Sequence, residues 1–548
     1  MKVVRRRTEW LVYVAAALVC TAYVAARADL VPRWGEWYTG DDPPFVQLEV
    51  RALLSGRLAL APHPSASAHD EDWGRGGMHT NFGLGEPILA LPLHVLARLF
   101  GAPGFPDDLR FLVFYCVTAV LLARALYRAA PSEPGALVAS VAAAGFVMVF
   151  PTFVGLVSAR FHVYEQTIAT GALWNVALLA GLLALARRCT PARLVLLCGA
   201  AGFSILIRPP LAVYGATTAA AAAVVARRRG LDARSLAAGV AAYLAVTALY
   251  FGGNALRFGS ALNTGYGNTI STTLVNRQTR WGVAFADVPW TAAAKELLLT
   301  CFFLEPIPSD AMAWAPPPSL QPHVQAERWR EYYCPTYDLL VLAIWLAAVA
   351  VVCAKLFALG RQRGGAARRG GDRALLVGAW ALPPSIVLFA FYARLGCIVT
   401  RYLADMYPAM AAACLCVGIA VVDWARRRAP ARAPPAQLAI AACAGLYIAG
   451  WRGWVEHVTH PVDAKTLAAR IDAVAARAAD MPQVAGEFEC HDARDKQPVY
   501  THLAEWQADC TFRSGMVFAM RHQACVAFTF GPGPGTLPPG ASQSPSRA

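Results

Sequence analysis

Residues 166–186 read QTIATGALWNVALLAGLLALA, and Arg187 and Arg188 follow at once. About 20 apolar residues wound as an α-helix are long enough to cross a hydrocarbon core about 30 Å thick. The same pattern recurs in both directions along the chain. Candidate spans lie at 10–27, 109–127, 135–157, 166–186, 193–207, 210–226, 235–253, 336–358, 374–393, 402–424 and 435–452, so the sequence predicts an all-α polytopic membrane protein of about 11 transmembrane helices. Composition agrees: 57% of the 548 residues are hydrophobic and only 15% charged, against about 25% charged in an average soluble domain. A soluble globular chain is excluded.

The net charge is +14, which by itself would also fit a nucleic-acid partner. Its distribution argues otherwise, because the basic residues occupy short gaps between apolar runs: Arg124 and Arg128, then Arg187, Arg188 and Arg193, then Arg227, Arg228 and Arg229, then the stretches 361–373 and 426–432. That is the positive-inside pattern, and no nucleic acid is expected as a partner. With a cytoplasmic N-terminus, all these clusters fall on the cytoplasmic face. The first apolar run follows Lys2, Arg5, Arg6 and Arg7 as a signal peptide's would, but a small-residue cleavage site is missing and 29–37 is charged and aromatic. It reads as a retained span. Scarce lysine beside abundant arginine and alanine points to a bacterial inner or cell membrane, with the C-terminus extracytoplasmic.

Residues 1–452 thus form the membrane domain, with a first outer loop at 28–108 and a second large outer loop at 254–335. Two further apolar stretches, 87–100 and 292–307, would spoil the charge agreement if they crossed, so they are expected in or on the outer leaflet as juxtamembrane helices; His94, Arg98, Lys295 and Glu296 suit that depth. Short apolar runs at 516–520 and 525–530 predict a small, β-rich extracytoplasmic cap over 453–530. The tail 531–548 is rich in Gly, Pro and Ser and is expected to be disordered. Of the 14 cysteines, Cys490, Cys510 and Cys525 lie in this polar region without CxxC spacing. An oxidising compartment predicts a disulfide between two of them, with the pairing open.

Chemistry-bearing residues gather at the outer ends of the spans. Just past the first span stands Tyr38-Thr39-Gly40-Asp41-Asp42-Pro43-Pro44-Phe45. Adjacent carboxylates raise each other's pKa and favour a shared proton or cation, which suits a general base acting on a hydroxyl; the same residues also make an ordinary solvated turn. Glu165 opens the fourth span, where a carboxylate either is useful or simply meets the positive end of a helix. Arg208, ahead of Pro209 and Pro210, cannot sit in lipid without an anionic group or a wet cavity. Arg401 and Tyr402, in Thr400-Arg401-Tyr402-Leu403-Ala404-Asp405, either hold a phosphate or anchor the helix at the interface. No P-loop, dinucleotide fingerprint or metal-ligand spacing is present in a credible context. No cofactor is implied with certainty, although a divalent cation at the acidic first loop is compatible with the paired carboxylates.

In their order and membrane side, these residues resemble the GT-C membrane glycosyltransferases, especially the branch of protein O-mannosyltransferases and the bacterial aminoarabinose transferase of lipid A. Asp41-Asp42-Pro43-Pro44-Phe45 with Ser55-Gly56 is similar to the acidic pair, aromatic and glycine past the first span of that branch. Asn81-Phe82-Gly83-Leu84-Gly85-Glu86-Pro87 with Leu99-Phe100-Gly101 resembles its second juxtamembrane motif, except that Glu86 stands where a lysine is common. Glu165 corresponds to the second acidic site, Arg208-Pro209-Pro210 to a cation before proline, and Arg401-Tyr402-Leu403 with Pro408 to a late-span motif. The resemblance covers about residues 1–424. It implies an inverting glycosyltransferase that moves a sugar from a polyprenyl-phosphate donor to a hydroxyl of a glycan, lipid or protein acceptor outside the cytoplasm, among membrane lipids. Asp41 would be the base, Asp42 and Glu165 would orient it or the acceptor, and Arg401, Tyr402 and Arg208 would face the donor phosphate. Rival readings are a flippase or transporter of lipid-linked glycans, an O-antigen polymerase or ligase, and a non-enzymatic scaffold.

Overall fold

The apolar runs are helical, as a bilayer demands of any segment that must satisfy its own backbone N–H and C=O groups. In the computed structural model the described residues are 2–28, 30, 45–60, 71–102, 104–129, 135–159, 163–265, 290–302, 337–361, 372–394, 400–428, 433–458, 487–491 and 498–502. The helices are α1 (Lys2–Arg27), α2 (Phe45–Leu54), α3 (Gly85–Leu99), α4 (Asp107–Ala129), α5 (Ala136–Met148), α6 (Pro151–Ala159), α7 (Val163–Arg187), α8 (Pro191–Gly202), α9 (Ser204–Ile207), α10 (Ala212–Arg228) and α11 (Ala233–Phe258). They continue with α12 (Trp290–Phe302), α13 (Leu339–Arg361), α14 (Arg373–Ala393), α15 (Thr400–Leu403), α16 (Tyr407–Arg428) and α17 (Ala433–Val458). Two antiparallel hairpins complete the described elements, β1 (Glu71–Gly74) with β2 (Gly77–Thr80), and β3 (Glu487–His491) with β4 (Pro498–His502).

Among the described residues, eight helices are long and apolar enough to cross a membrane, or nine if the bent pair α5 and α6 is one span. The protein is a mostly helical, multi-pass membrane protein. Two of the eleven expected spans fall outside this set. The 193–207 stretch is a shorter apolar segment, Pro191–Ile207, and 435–452 lies in the 26-residue α17, the side chains of whose last turns fall outside the described residues. Of the expected cap, the described part is the β3–β4 hairpin. Cys510, Cys525 and the side chain of Cys490 lie outside the described residues, as does the tail.

One core runs through the bundle. The 44° bend between α5 and α6, set by Pro151, frees carbonyls that tyrosines recover: Tyr407 Oη donates to the Val147 carbonyl at 2.7 Å and Tyr115 Oη to that of Met148 at 2.9 Å. Trp380 Nε1 donates to Thr218 Oγ1 at 2.8 Å and ties α14 to α10. Such paired polar groups are what a water-free interior tolerates.

The bundle has two chemically distinct ends. Arg124, Arg128, Arg187, Arg188, Arg228 and Arg229 line one cavity together with Lys355, Arg373 and Arg427, so clusters scattered over 300 residues of sequence share one face. Asp107 and Glu165 stand at the opposite ends of α4 and α7, and Asn254 and Arg257 at the end of α11. This is the second, polar end.

Candidate functional site

At the polar end, Arg208 occupies a break between helices. The proline that follows disfavours α geometry at Arg208, and its backbone is extended at φ −157°, ψ 129°. A second break faces it, where α15 gives way to a 3₁₀ turn at Ala404–Met406 before α16. Arg208 Nη1 lies 2.7 and 2.6 Å from Asp405 Oδ1 and Oδ2. Asp405 is 1% exposed and also accepts from Tyr392 Oη.

Tyrosines secure this junction. The carbonyl of Asp405 accepts from Tyr214 Oη at 2.9 Å, and that of Leu403 from Tyr337 Oη at 3.0 Å. The Arg208 guanidinium lies 4.9 Å from the Tyr402 ring centroid, and Tyr402 in turn stacks on Tyr392 at 6.2 Å. Two of the three residues expected to face a phosphate are therefore in direct contact. The backbone of Arg401 belongs to α15; its side chain lies outside the described residues, as do Asp41, Asp42 and His162.

Glu165 opens α7 and is 3% exposed. On the next turns of that helix, Thr167 Oγ1 and Thr170 Oγ1 donate to Glu86 at 2.7 and 3.1 Å. Glu86, from α3, also receives Arg110 Nη2 at 2.8 Å, and Arg110 Nε lies 3.2 Å from Asp107 Oδ1. Glu86 is thus a buried acceptor clamped by an arginine and two threonines. Its departure from the lysine common in the resemblance has a partner in Arg110.

Above this layer, the β1–β2 hairpin docks on the end of α11. Arg257 Nη1 donates to the carbonyls of Thr80 and Phe82 at 3.1 and 2.9 Å, and Arg75 N–H to that of Arg257 at 2.6 Å. Thr80 Oγ1 donates to Glu49 of α2. Burial pushes the Glu49 carboxyl up to about 7; the Thr80 hydroxyl and Arg257 pull against that rise and Glu86 adds to it. His94, expected at headgroup depth, is instead buried, and its Nδ1 accepts the Phe105 N–H at 3.2 Å. Burial, then Arg110, Arg98 and Arg51, lower its imidazole to about 4, so it is neutral at pH 7. The same helix exposes Leu96 and Leu99, and Phe100 that caps it, the last two at 77% and 83%. An inward polar stripe and outward apolar one suit α3 to the bilayer side of the bundle.

The two halves of the site meet through glycines. A Cβ on Gly83 would come within 1.9 Å of the Leu206 carbonyl oxygen, and one on Gly85 within 2.5 Å of Ile207 N. The Asn81–Gly85 segment therefore packs backbone to backbone on the chain just before Arg208. α3 and α7 both touch α9, and α7 also touches the Ala404–Met406 turn. Glu165, Arg208, Tyr402, Glu86 and Asp405 thus sit on one connected set of elements.

Asp405, Glu86, Arg110, Glu49 and Arg257 were not among the expected site residues. The available signal was a charge inside or at the rim of an apolar run, as for Asp405 and Arg110, which is costly unless partnered. Among the described residues, no group of three or more His, Cys, Asp or Glu is arranged to hold a metal. The acidic first loop expected to take a cation lies outside them. No protein family matches the chain, and no curated protein is detectably similar to it.

Proposed function

We propose that this protein is an inverting GT-C-type glycosyltransferase that uses a polyprenyl-phosphate sugar and works at the polar end of the bundle, outside the cytoplasm. The observation that carries the reading is the union at that end of Glu165, Arg208 and Tyr402, on elements that also touch the second juxtamembrane segment. The proposal includes the finer arrangement of about 11 spans, a cytoplasmic N-terminus and an outer C-terminal cap.

In this reading Asp41 takes the proton of the acceptor hydroxyl as its oxygen attacks the anomeric carbon opposite the phosphate. The bond from that carbon to the phosphate oxygen breaks, its electron pair stays with the oxygen, and polyprenyl phosphate leaves. Arg401 offsets the charge developing on the phosphate. Arg208 is already matched by Asp405, so it supplies hydrogen-bond donors from a neutral pair and shapes the Arg401-Tyr402-Leu403 turn. Asp42 and Glu165 orient the base or the acceptor.

The test is transfer of labelled sugar from a library of lipid-phosphate donors into membrane glycans. Loss of a positioned general base costs about 10²- to 10⁴-fold, so Asp41→Asn is expected to nearly silence transfer at unchanged membrane insertion, while Arg401→Ala raises the donor requirement. Undiminished transfer by Asp41→Asn removes Asp41 as base. A second reading, transport of a lipid-linked glycan, is favoured by the two facing helix breaks at 207–212 and 403–407, a device transporters use at their binding sites. Translocation of a labelled lipid by wild-type protein that transfers no sugar would select it.

A further inference from the structure

The basic end contains a cavity of about 3510 Å³, bounded by α4, α7, α8, α10, α13, α14 and α16. Its lining includes the exposed Leu196, Leu356 and Trp424, so it is an open cleft between helices rather than an enclosed small-molecule pocket of about 300–1,000 Å³. Its walls are mostly alkyl and its helix surfaces short: Ala177, Ala180, Gly181, Ala184, Ala216 and Ala220 line it. Side chains this small leave the space between helices unfilled. The walls reach from Trp174 and Pro383, near the middle of their helices, to a rim of arginines.

The rim is unbalanced. Its carboxylates include Asp372, which pairs with Lys355, and Asp423, which pairs with Arg373 at 3.2 Å. Glu9, the third, accepts from Tyr127 Oη at 3.1 Å. Arg187 and Arg229 donate to the carbonyls of Arg128 and Ala186, and Arg193 to that of Arg188 at 3.1 Å. Arg124 lies over the Trp10 ring at 4.7 Å. Among the described residues none of these four, nor Arg128 or Arg228, forms an ion pair with a carboxylate.

Like charges converging from several helices repel unless an anion sits among them, and guanidinium forks match phosphate oxygens. A ligand that answers both the alkyl walls and the cationic rim has a phosphate head and hydrocarbon tails. We infer that this cavity is a binding site for an anionic diacyl phospholipid of the cytoplasmic leaflet, with acyl chains along the alanine-lined walls and the phosphate at the Arg128–Arg228 rim. The inference concerns the end opposite the proposed sugar-transfer site; only its choice of leaflet rests on the cytoplasmic N-terminus of that reading.

The test uses the full-length protein in mixed nanodiscs, with retained lipid counted by native mass spectrometry after detergent extraction. Wild type is expected to retain phosphatidylglycerol over phosphatidylcholine. Basic side chains near a membrane surface contribute about 1 kcal/mol each toward an anionic lipid, so Arg128→Gln with Arg228→Gln should lower the preference about 30-fold, and the paired Lys variant should keep most of it. Equal retention of the two lipids by wild type overturns the inference, whether or not any variant folds. So does an unchanged preference in the Gln variant. Release of bound phosphatidylglycerol by millimolar glycerol phosphate would show that the rim takes a free anion and that the walls hold no chains.

Discussion

Replacing Asp405 by alanine should be among the most damaging single changes in the bundle, and more damaging than replacing its partner. The carboxylate is 1% exposed and engages both oxygens with Arg208 Nη1, while Tyr392 Oη adds a third hydrogen bond. Breaking a buried pair by removing one member costs about 3–5 kcal/mol, because the other charge stays behind. Asp405→Ala leaves a guanidinium that cannot shed its proton and a Tyr392 hydroxyl without this acceptor, which adds about 1–3 kcal/mol. Arg208→Met leaves a carboxyl that a proton can neutralise while Tyr392 still donates to it, and the Arg208 side chain is 15% exposed, so the residual cost is smaller. The double variant Arg208→Met with Asp405→Leu should recover most of the loss, since apolar replacement of a buried pair is often neutral. Melting by fluorescence-detected size exclusion of the four proteins at matched expression gives the ranking: wild type and double variant above Arg208→Met, and Asp405→Ala lowest. An Asp405→Ala protein that melts with wild type, or an inverted order of the single variants, would refute this account of the junction.

Glu49 and His94 set opposite pH dependences. The Glu49 carboxyl is raised from 4.5 to about 7 in the folded protein, so the native state holds more protons than the unfolded chain between those values; stability present below pH 4.5 is lost as pH rises through 7. At about 1.4 kcal/mol per pH unit this is on the order of 3 kcal/mol, and Glu49→Gln should remove that decline in melts taken from pH 4.5 to 7.5. His94 is lowered from 6.5 to about 4, so its contribution is present above 6.5 and lost as pH falls through 4, and His94→Asn should flatten the acid limb; no change in either variant would contradict the burial described. Gly83→Ala should strongly lower the yield of folded protein, since its Cβ would strike the Leu206 carbonyl at 1.9 Å, whereas Gly252→Ala, with nothing within 4 Å, should be neutral or stabilising by about 1 kcal/mol. Equal melting of the two glycine variants would show that the contact at Leu206 yields easily.

The amino-acid sequence alone determined the class of molecule and the chemical contrast between its two ends. Apolar runs of span length follow from the thickness of a bilayer, and the arginine clusters after 124, 187 and 227 had to share a face because each terminates a run; that face is the rim of one cavity. The position of Glu165 at a helix start, and of Arg208 where a proline breaks one, was legible for the same local reasons. Local pattern says less about length: 193–207 reads as a span, and the apolar segment found there, Pro191–Ile207, is shorter than the other candidate spans. Only the tertiary structure decided what each buried charge touches. Asp405 stands in the quoted Thr400–Asp405 stretch, yet nothing local to it points to Arg208, which lies 197 residues away. Glu86 reads as a departure from a motif until Arg110, Thr167 and Thr170 are found around it. Helix–helix register is fixed by the summed packing of many side chains across the bundle, and which polar atoms end within 3 Å of each other is a consequence of that sum rather than of any segment that contributes to it.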